Sequence, residues 1–123
     1  MKNKTCCFTG HRDISGYEYI RVKKLLKKKI EGLILDGVIY FGSGGAIGFD
    51  TLAARTVPKL KKKHPKIKLI MVYPCKNQTK FWDEKDREEY NFIKKHSDKT
   101  YYKDLLKVFK EFDVKGAITC ESP

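Results

Sequence analysis

The sequence lacks the features that mark membrane and exported proteins. No apolar run approaches the roughly 18 residues needed to span a bilayer, so we expect no transmembrane helix. The start, Met1-Lys2-Asn3-Lys4, leads into only a short apolar stretch and does not predict a secretory signal peptide. We therefore expect a cytoplasmic protein.

Cysteine and histidine are too scattered to predict a metal site. The cysteines are Cys6, Cys7, Cys75 and Cys120, and the histidines are His11, His64 and His96. No two cysteines form a Cys-x-x-Cys pair, whereas zinc sites draw their ligands from such close spacings. We expect reduced thiols, as in the cytosol, and neither a metal nor a resident cofactor.

Negative charge is also in short supply. The 123 residues include 27 Lys and Arg against 15 Asp and Glu, a formal net charge of +12. Such a charge attracts anionic ligands and polyanions, so nucleic acid is one candidate partner. Many lysines, such as Lys23, Lys24, Lys27 and Lys28, fall on the outer face of one predicted helix, where solvated lysines are common. With 41% hydrophobic residues, residues 1–123 are expected to form a single domain.

The hydrophobic pattern alternates between strands and helices. Strands are predicted over 4–8, 38–41, 67–73, 99–102 and 116–120, and helices over 17–36, 81–95 and 103–112. A further helix is expected from about residue 48, and Pro58 should kink or divide it. Strands that alternate with helices predict an α/β fold, a three-layer Rossmann-like sandwich with about five mostly parallel strands.

The stretch from Val38 to Ala54 organises the rest of the chain. A buried strand leads into Gly42-Ser43-Gly44-Gly45, and a helix then begins near Gly48-Phe49-Asp50. Glycines let a ligand approach the backbone, and the N–H groups at a helix start attract anions such as phosphate. A tight turn with nothing bound is the alternative. On the anion interpretation, Gly45→Val should block the ligand and leave the fold mostly intact.

Two further loops are expected at the same edge of the sheet. Thr9–Asp13 contains Arg12, whose planar guanidinium suits phosphate or carboxylate, and Pro74–Gln78 follows the third strand. The carboxyl ends of parallel strands form the edge where such sheets bind ligands, so the three loops should converge there. Asp50 is then either a residue of the helix start or an acceptor for ribose hydroxyls. The first loop is not Gly-x-Gly-x-x-Gly, so a dinucleotide dehydrogenase is not indicated.

Three motifs together resemble one superfamily. They are Cys7-Phe8-Thr9-Gly10-His11-Arg12, then Gly44-Gly45-Ala46-Ile47-Gly48-Phe49-Asp50-Thr51-Leu52-Ala53-Ala54, then Pro74-Cys75 with Gln78, Trp82, Asp86 and Tyr90. In this order they are similar to the small TGHR-type proteins of the SLOG superfamily. That superfamily also contains LONELY GUY phosphoribohydrolases, DNA-processing protein A and sensor domains of antiphage defence systems. The resemblance implies a Rossmann-like fold whose glycine loops hold nucleotide-type ligands, ADP-ribose derivatives among them.

The loops and the resemblance define one set of candidate ligand-binding residues. They are Thr9, Gly10, His11, Arg12, Ser43, Gly44, Gly45, Ala46, Gly48, Phe49, Asp50, Pro74, Cys75, Gln78 and Trp82. No catalytic role is assigned to any of them. Trp82, Asp86 and Tyr90 stand four residues apart and should share one helix face. The plain interpretation of this face is that Trp82 and Tyr90 pack while Asp86 ties down a loop.

The sequence departs from its relatives in its last part. LONELY GUY enzymes carry Pro-Gly-Gly-x-Gly-Thr after the fourth strand, but this chain has Tyr101-Tyr102-Lys103-Asp104-Leu105 there, so phosphoribohydrolase activity is not expected. The Arg-Asn and Met-Val-Asp segment usual in TGHR-type relatives is not found in Lys103–Pro123. We therefore expect a C-terminally shortened domain, and a homo-oligomer in which a neighbour covers apolar surface.

Three functions follow from these observations. The favoured one is a sensor or sequestering protein that binds a nucleotide-derived small molecule, such as ADP-ribose or cyclic ADP-ribose, in phage–host defence signalling. The second is a hydrolase of a nucleotide or N-glycosidic bond that uses Asp50 or His11. The third is a binder of single-stranded nucleic acid, because Gly45–Ala54 resembles the corresponding helix start in DNA-processing protein A.

Overall fold

The computed structural model of the chain describes residues 5–10, 14, 16–73, 76–102 and 116–120, with only the backbone described at 9, 10 and 116–120. In chain order the elements are β1 (Thr5–Gly10), α1 (Gly16–Leu35), β2 (Tyr40–Ser43), α2 (Phe49–Lys61), β3 (Lys68–Tyr73), α3 (Glu84–His96), β4 (Lys99–Tyr102) and β5 (Gly116–Cys120). None of the helices within these ranges is long and apolar enough to cross a bilayer.

The described strands form one parallel sheet in the order β4-β3-β2-β1-β5. Cys6 is paired with Phe41 of β2 on one side and with Gly116 of β5 on the other. Ile70 of β3 stands opposite Gly42 and Lys99. Every neighbouring pair is parallel, so all carboxyl ends lie along one edge. The predicted α/β, Rossmann-like class is confirmed.

The three described helices lie side by side on one face of the sheet. The strands β1 to β4 advance in a single direction across the sheet, and right-handed crossovers then place every connecting helix on the same face. Accordingly α2 lies between its neighbours and contacts both α1 and α3. The helix predicted over 103–112, which would supply the third layer of the sandwich, lies outside the described residues.

The core lies between the sheet and this helical layer. The rings of Phe8 and Phe41 stack at 5.9 Å, and Phe49 meets Phe8 edge-on at 6.5 Å. Leu26 and Ile30 of α1 are buried in the same cluster. Fully burying one such side chain contributes about 1.5–3 kcal/mol. In β3 every residue from Leu69 to Tyr73 is buried, as expected for an interior strand of a parallel sheet.

Some elements differ from their predicted bounds. Strand β2 begins two residues later than predicted and includes Gly42 and Ser43, because β1 and β3 hold these residues extended from both sides. Pro58 does not divide α2, in which buried side chains continue to Leu60. Helix α3 begins at Glu84, not near Phe81, because Asp83 caps it. The predicted bounds of β4 and β5 are confirmed to the residue.

Candidate functional site

The loop after β2 is fixed to the first turn of α2 by two hydroxyl groups. The Ser43 hydroxyl accepts a hydrogen bond from the Gly45 N–H at 3.3 Å and donates to the Asp50 carbonyl at 3.1 Å. The Thr51 hydroxyl donates to the Ala46 carbonyl at 2.8 Å. Ser43 is fully buried, so its role is to hold the loop. These bonds pre-organise the backbone at the carboxyl edge of the sheet.

Gly45 is required by the core beneath it. Its φ is +74°, a left-handed value that side chains disfavour. A Cβ at this position would lie 2.5 Å from Cε1 and 2.9 Å from Cδ1 of Tyr73, and 3.4 Å from Met71. The expectation that Gly45→Val would leave the fold mostly intact is therefore wrong, because the new side chain would enter the core.

Helix α2 begins without a side-chain cap. Its N-cap residue, Gly48, has φ 90° and ψ −123° and offers no side-chain acceptor to the first turn. First-turn N–H groups that receive no bond from the N-cap residue therefore meet the positive end of the helix dipole at this point. This combination favours an anion such as phosphate.

Asp50 lies in the first turn of α2, and Gly48 holds the N-cap position. Among the described residues, the buried Oδ1 atom of Asp50 has no hydrogen-bond partner. Burial raises the pKa of this carboxyl to about 6, although a hydrogen bond from the Ala46 backbone opposes the increase. A carboxylate held in this way costs stability, and such groups concentrate at functional sites.

A groove of about 520 Å³ opens beside the start of α2. Its lining comes from α1, α2, α3 and the segments before them: Ile14, Tyr19, Ile47, Gly48, Thr51, Leu52, Arg55, Trp82, Lys85, Asp86 and Glu89. Arg55 Nε lies 2.8 Å from Glu89 Oε1 across the groove, which links α2 to α3. The groove is thus lined by aromatic side chains and by both basic and acidic side chains.

The segment 76–82 is held in place by hydrogen bonds. Arg87 donates from Nε to the Thr79 carbonyl at 3.0 Å and from its guanidinium to the Lys80 carbonyl. Gln78 Nε2 donates to the Gly45 carbonyl at 3.5 Å, a long bond that reaches the glycine loop. Arg87, which sequence reasoning did not single out, therefore holds this segment, and the role expected for Asp86 stays a prediction.

Trp82 forms one wall of the groove. It precedes α3 and so does not share a helical face with Tyr90, but its ring still meets Tyr90 edge-on at 5.7 Å. Tyr90 in turn packs against Tyr73 at 4.6 Å. The aromatic contacts therefore run from the groove to the buried ring that supports Gly45.

The structure brings part of the predicted set together. The loop residues Ser43–Ala46, together with Gly48 and Asp50, lie at the carboxyl edge, where Gln78 contacts the loop. Gly48 and Trp82 both line the groove. Thr9 and Gly10 end β1 at the same edge. Phe49 is 2% exposed and faces the core, so its side chain has a packing role. Outside the described residues lie His11, Arg12, Pro74 and Cys75.

Several groove residues were missed by sequence reasoning. The groove residues outside the candidate set are Ile14, Tyr19, Ile47, Thr51, Leu52, Arg55, Lys85, Asp86 and Glu89. The spacing of Thr51 and Arg55, and of Lys85 and Glu89, places each pair on one helical face. This spacing cannot show that the face of α2 lies against the face of α3, because their contact depends on how the three helices pack.

The parallel sheet, its glycine loop and the uncapped helix define a Rossmann-like α/β protein whose carboxyl edge is suited to anions. A sequence profile described as the YspA SLOG family matches residues 7–110. The chain therefore belongs to the YspA SLOG family, which confirms the expected superfamily.

Individual relatives match part of the chain. A UPF0398 protein of Halalkalibacterium halodurans is 36% identical over 77 residues, which cover 63% of this chain and 41% of that protein. UPF0398 proteins of Bacillus thuringiensis strain Al Hakam and Bacillus cereus strain AH187 are 31% identical over 77 residues, covering 63% of this chain and 42% of each relative. The chain thus spans about two fifths of the length of the curated relatives it matches.

Proposed function

We propose that this protein binds a nucleotide-derived small molecule, of the ADP-ribose or cyclic ADP-ribose type, as a sensor or sequestering protein. The observation that carries the proposal is the uncapped start of α2, presented by a fixed glycine loop beside an aromatic groove. The resemblance to defence-associated SLOG sensors extends the proposal to phage–host signalling.

A phosphate group is the part of the ligand best supported. The N-cap Gly48 offers no side-chain acceptor to the first-turn N–H groups of α2 and leaves room for close approach. The hydrogen bonds of Ser43 and Thr51 hold this backbone before a ligand arrives, which lowers the entropic cost of binding. Arg12 is proposed as a second phosphate contact on sequence grounds, from its place after β1.

The groove suits the base or ribose. Its volume of about 520 Å³ is in the usual range for small-molecule sites. Trp82 and Tyr19 offer aromatic faces for stacking, and the Glu89 and Asp86 carboxylates can accept hydrogen bonds from amino or hydroxyl groups. A phosphate at Gly48 would place an attached nucleoside within reach of these residues.

Binding without turnover is favoured by the absence of the Pro-Gly-Gly-x-Gly-Thr motif from the sequence after β4. One observation supports the alternative of an N-glycosidic-bond hydrolase. The Asp50 carboxyl, with its pKa raised to about 6 by burial, could exchange a proton near neutral pH.

Trp82 gives a direct test, because it is the only tryptophan in the chain. Its fluorescence should change when ADP-ribose or cyclic ADP-ribose is titrated into the protein. Mass spectrometry of the denatured complex should return the ligand unaltered, whereas a chromatographic product peak would support the hydrolase. A flat titration confirmed by calorimetry for both compounds would contradict the ADP-ribose assignment.

A pair of neighbouring aromatics supplies a matched control. Trp82→Ala should weaken binding by about 1–3 kcal/mol, the range for loss of one base–aromatic stack, as measured by calorimetry. Phe81 is 91% exposed and lies near the Lys80 ammonium, 5.4 Å from the ring centroid. Phe81→Ala should leave affinity nearly unchanged, and equal losses in both variants would contradict stacking on Trp82.

A further inference from the structure

A second pocket, of about 400 Å³, lies at the edge of the sheet opposite the candidate site. It is formed by residues 34–39, which end α1 and lead into β2, and by residues 63–67, which follow α2 and lead into β3. Since β2 and β3 are parallel and both begin here, we call it the amino-edge pocket. It shares no lining residue with the groove beside α2.

Hydrogen bonds hold the backbone around the amino-edge pocket. The Gly37 N–H donates to the Ile34 carbonyl at 3.0 Å and closes the turn after α1. The Lys68 N–H donates to the Ile39 carbonyl at 2.8 Å and joins the start of β3 to the residue before β2. A pocket whose backbone is already ordered loses little entropy on binding. Because β2 and β3 are both interior strands, a bound molecule cannot pair with their edges and must be recognised by side chains.

The floor and one side of the amino-edge pocket are apolar. Val38 and Ile67 line it and are each 1% exposed, so they belong to the core and form a firm floor. Ile34 and Ile39 are partly buried and supply the side formed by residues 34–39. An apolar group that enters the pocket therefore leaves water and contacts core side chains, which is favourable.

The other side of the amino-edge pocket is basic. Residues 63–67 contribute Lys63, His64 and Lys66, and none of the described lining residues is acidic. Lys61 pairs with Asp98, whereas neither lysine of the pocket forms an ion pair within the described ranges. Lysines at the end of a helix offset its dipole, but Lys66 stands well beyond the last turn of α2, where that effect has faded. The pocket thus combines an apolar side with a basic side.

We propose that the amino-edge pocket binds an acidic peptide segment of a partner protein, which inserts an apolar side chain and places carboxylates beside Lys63 and Lys66. Successive side chains of an extended segment point to opposite sides, so alternating apolar and acidic residues match the two sides of the pocket. Leu35 follows the lining residue Ile34 and is 82% exposed, so the apolar surface at the end of α1 extends past the pocket, which favours a peptide over a compact small molecule. The net charge of +12 attracts an acidic partner and opposes a second copy of this chain. The inference does not depend on the proposed nucleotide site.

Selection from a phage-displayed library of random linear peptides, with the full chain as the target, tests the proposal. Peptides in which Leu, Ile or Phe is flanked by Asp or Glu should be enriched. The affinity of one enriched peptide, carrying a fluorescent label, is then measured by anisotropy. Replacing its apolar residue by Ser should abolish binding, and undiminished binding of that peptide would overturn the proposal.

Two double variants separate the pocket from the net charge. Lys63→Glu with Lys66→Glu should weaken binding of the labelled peptide by about tenfold or more, because like charges then face its carboxylates. Lys27→Glu with Lys28→Glu makes the same change of charge at exposed positions of α1 and should alter binding little. Equal losses in the two double variants would overturn the proposal in favour of diffuse attraction.

Two exposed leucines of α1 test the apolar part of the surface. Leu35→Ser should weaken binding of the labelled peptide about fivefold, through lost apolar contact. Leu25, which is 59% exposed and does not line the pocket, is the matched control, and Leu25→Ser should leave the affinity unchanged. Three results would contradict the proposal: no enrichment of acidic peptides with an apolar residue; thermal stabilisation by decanoate alone, which would assign the pocket to a small apolar carboxylate; or a dimer in light scattering that Leu35→Ser dissociates, which would assign it to a second copy.

Discussion

Helices α2 and α3 both begin on the carboxyl side of the sheet, but their first turns are closed differently. Asp83 precedes α3, and its carboxylate accepts the Asp86 N–H at 2.9 Å. Gly48 precedes α2 and supplies no side chain. A side-chain cap typically contributes about 1 kcal/mol, so the chain forgoes that stabilisation at α2 while using it at α3. The difference supports the proposal that the start of α2 receives an external anion.

The carboxylates at the two helix starts also differ in exposure and in hydrogen bonding. Asp83 is exposed and engaged in capping, whereas Asp50 lies partly buried with one oxygen unpartnered among the described residues. A chain selected for stability alone would place an amide or an apolar side chain at position 50. The following changes test whether the α2 start is functional and the α3 start structural.

The largest effect is expected at the loop that leads into α2. Gly45→Ala should lower the free energy of unfolding by about 2–4 kcal/mol, because it combines left-handed strain with a clash against Tyr73. Urea denaturation measures the change. Gly32→Ala is the matched control, since a Cβ at Gly32 of α1 meets nothing within 4 Å and should stabilise the helix by about 0.5–1 kcal/mol. Equal stability of the two variants would refute the packing role of Gly45.

The next effect depends on pH. The folded pKa of Asp50, about 6, lies above the ordinary value of 3.8, so the folded state holds the proton more tightly. The resulting stabilisation is complete below about pH 4 and is lost as the pH rises through 6. At pH 8, Asp50→Asn should therefore raise the free energy of unfolding by up to about 3 kcal/mol relative to the parent, the value obtained by converting the pKa shift.

A second aspartate, Asp98, has a pKa shift of the opposite sign. Partial burial acts to raise the pKa of Asp98, but the Lys61 ammonium and the Leu69 N–H outweigh it and hold the pKa below its usual value. Its stabilisation is present above the unfolded pKa and is lost as the pH falls through the folded value. Asp98→Asn should thus destabilise the protein at neutral pH. Thermal melts across pH 3–8 compare both variants, and parallel curves would contradict the assigned environments.

A smaller effect is expected at the uncapped residue itself. Gly48→Ala should cost about 1–3 kcal/mol, because φ 90° with ψ −123° strains an alanine. It should also weaken nucleotide binding, since the first-turn N–H groups would shift. Calorimetry under conditions where the variant remains folded measures this, and unchanged affinity would argue against a phosphate at the α2 start.

The smallest effect belongs to the capped helix. Asp83→Ala should lower stability by about 1 kcal/mol through loss of the bond to the Asp86 N–H. Nucleotide affinity should stay within error of the parent in the Trp82 fluorescence titration. A large loss of affinity here would show that both helix starts serve the ligand and would remove the contrast between them.

Local sequence predicted most of the architecture. The alternation of apolar runs and helical spacing gave the bounds of β4 and β5 to the residue and identified the edge at which the glycine loop lies. The prediction from local sequence was wrong where hydrogen bonding to neighbouring strands outweighed the conformational preference of the residues themselves. Gly42 and Ser43 look like a loop in sequence, but strands on both sides extend β2 through them.

The site was less predictable than the fold, because it depends on where side-chain positions point and on how separate helices pack together. Sequence shows that Gly45 is a glycine but not that its missing side chain would point at Tyr73. The groove likewise arises only when Arg55 and Glu89, from separate helices, come together. Neither fact is encoded in a local pattern of residues.

The pairing of β1 with β5 has a consequence for synthesis of the protein. Strand β1 occupies the interior of the sheet, yet Cys6 finds its second neighbour only at Gly116. During translation, β1 can therefore pair with β2 early, but its other edge stays open until residue 116 has left the ribosome. An unpaired interior strand of this kind is prone to aggregation, so a stalled or slowed ribosome would expose β1 to wrong partners or to chaperones.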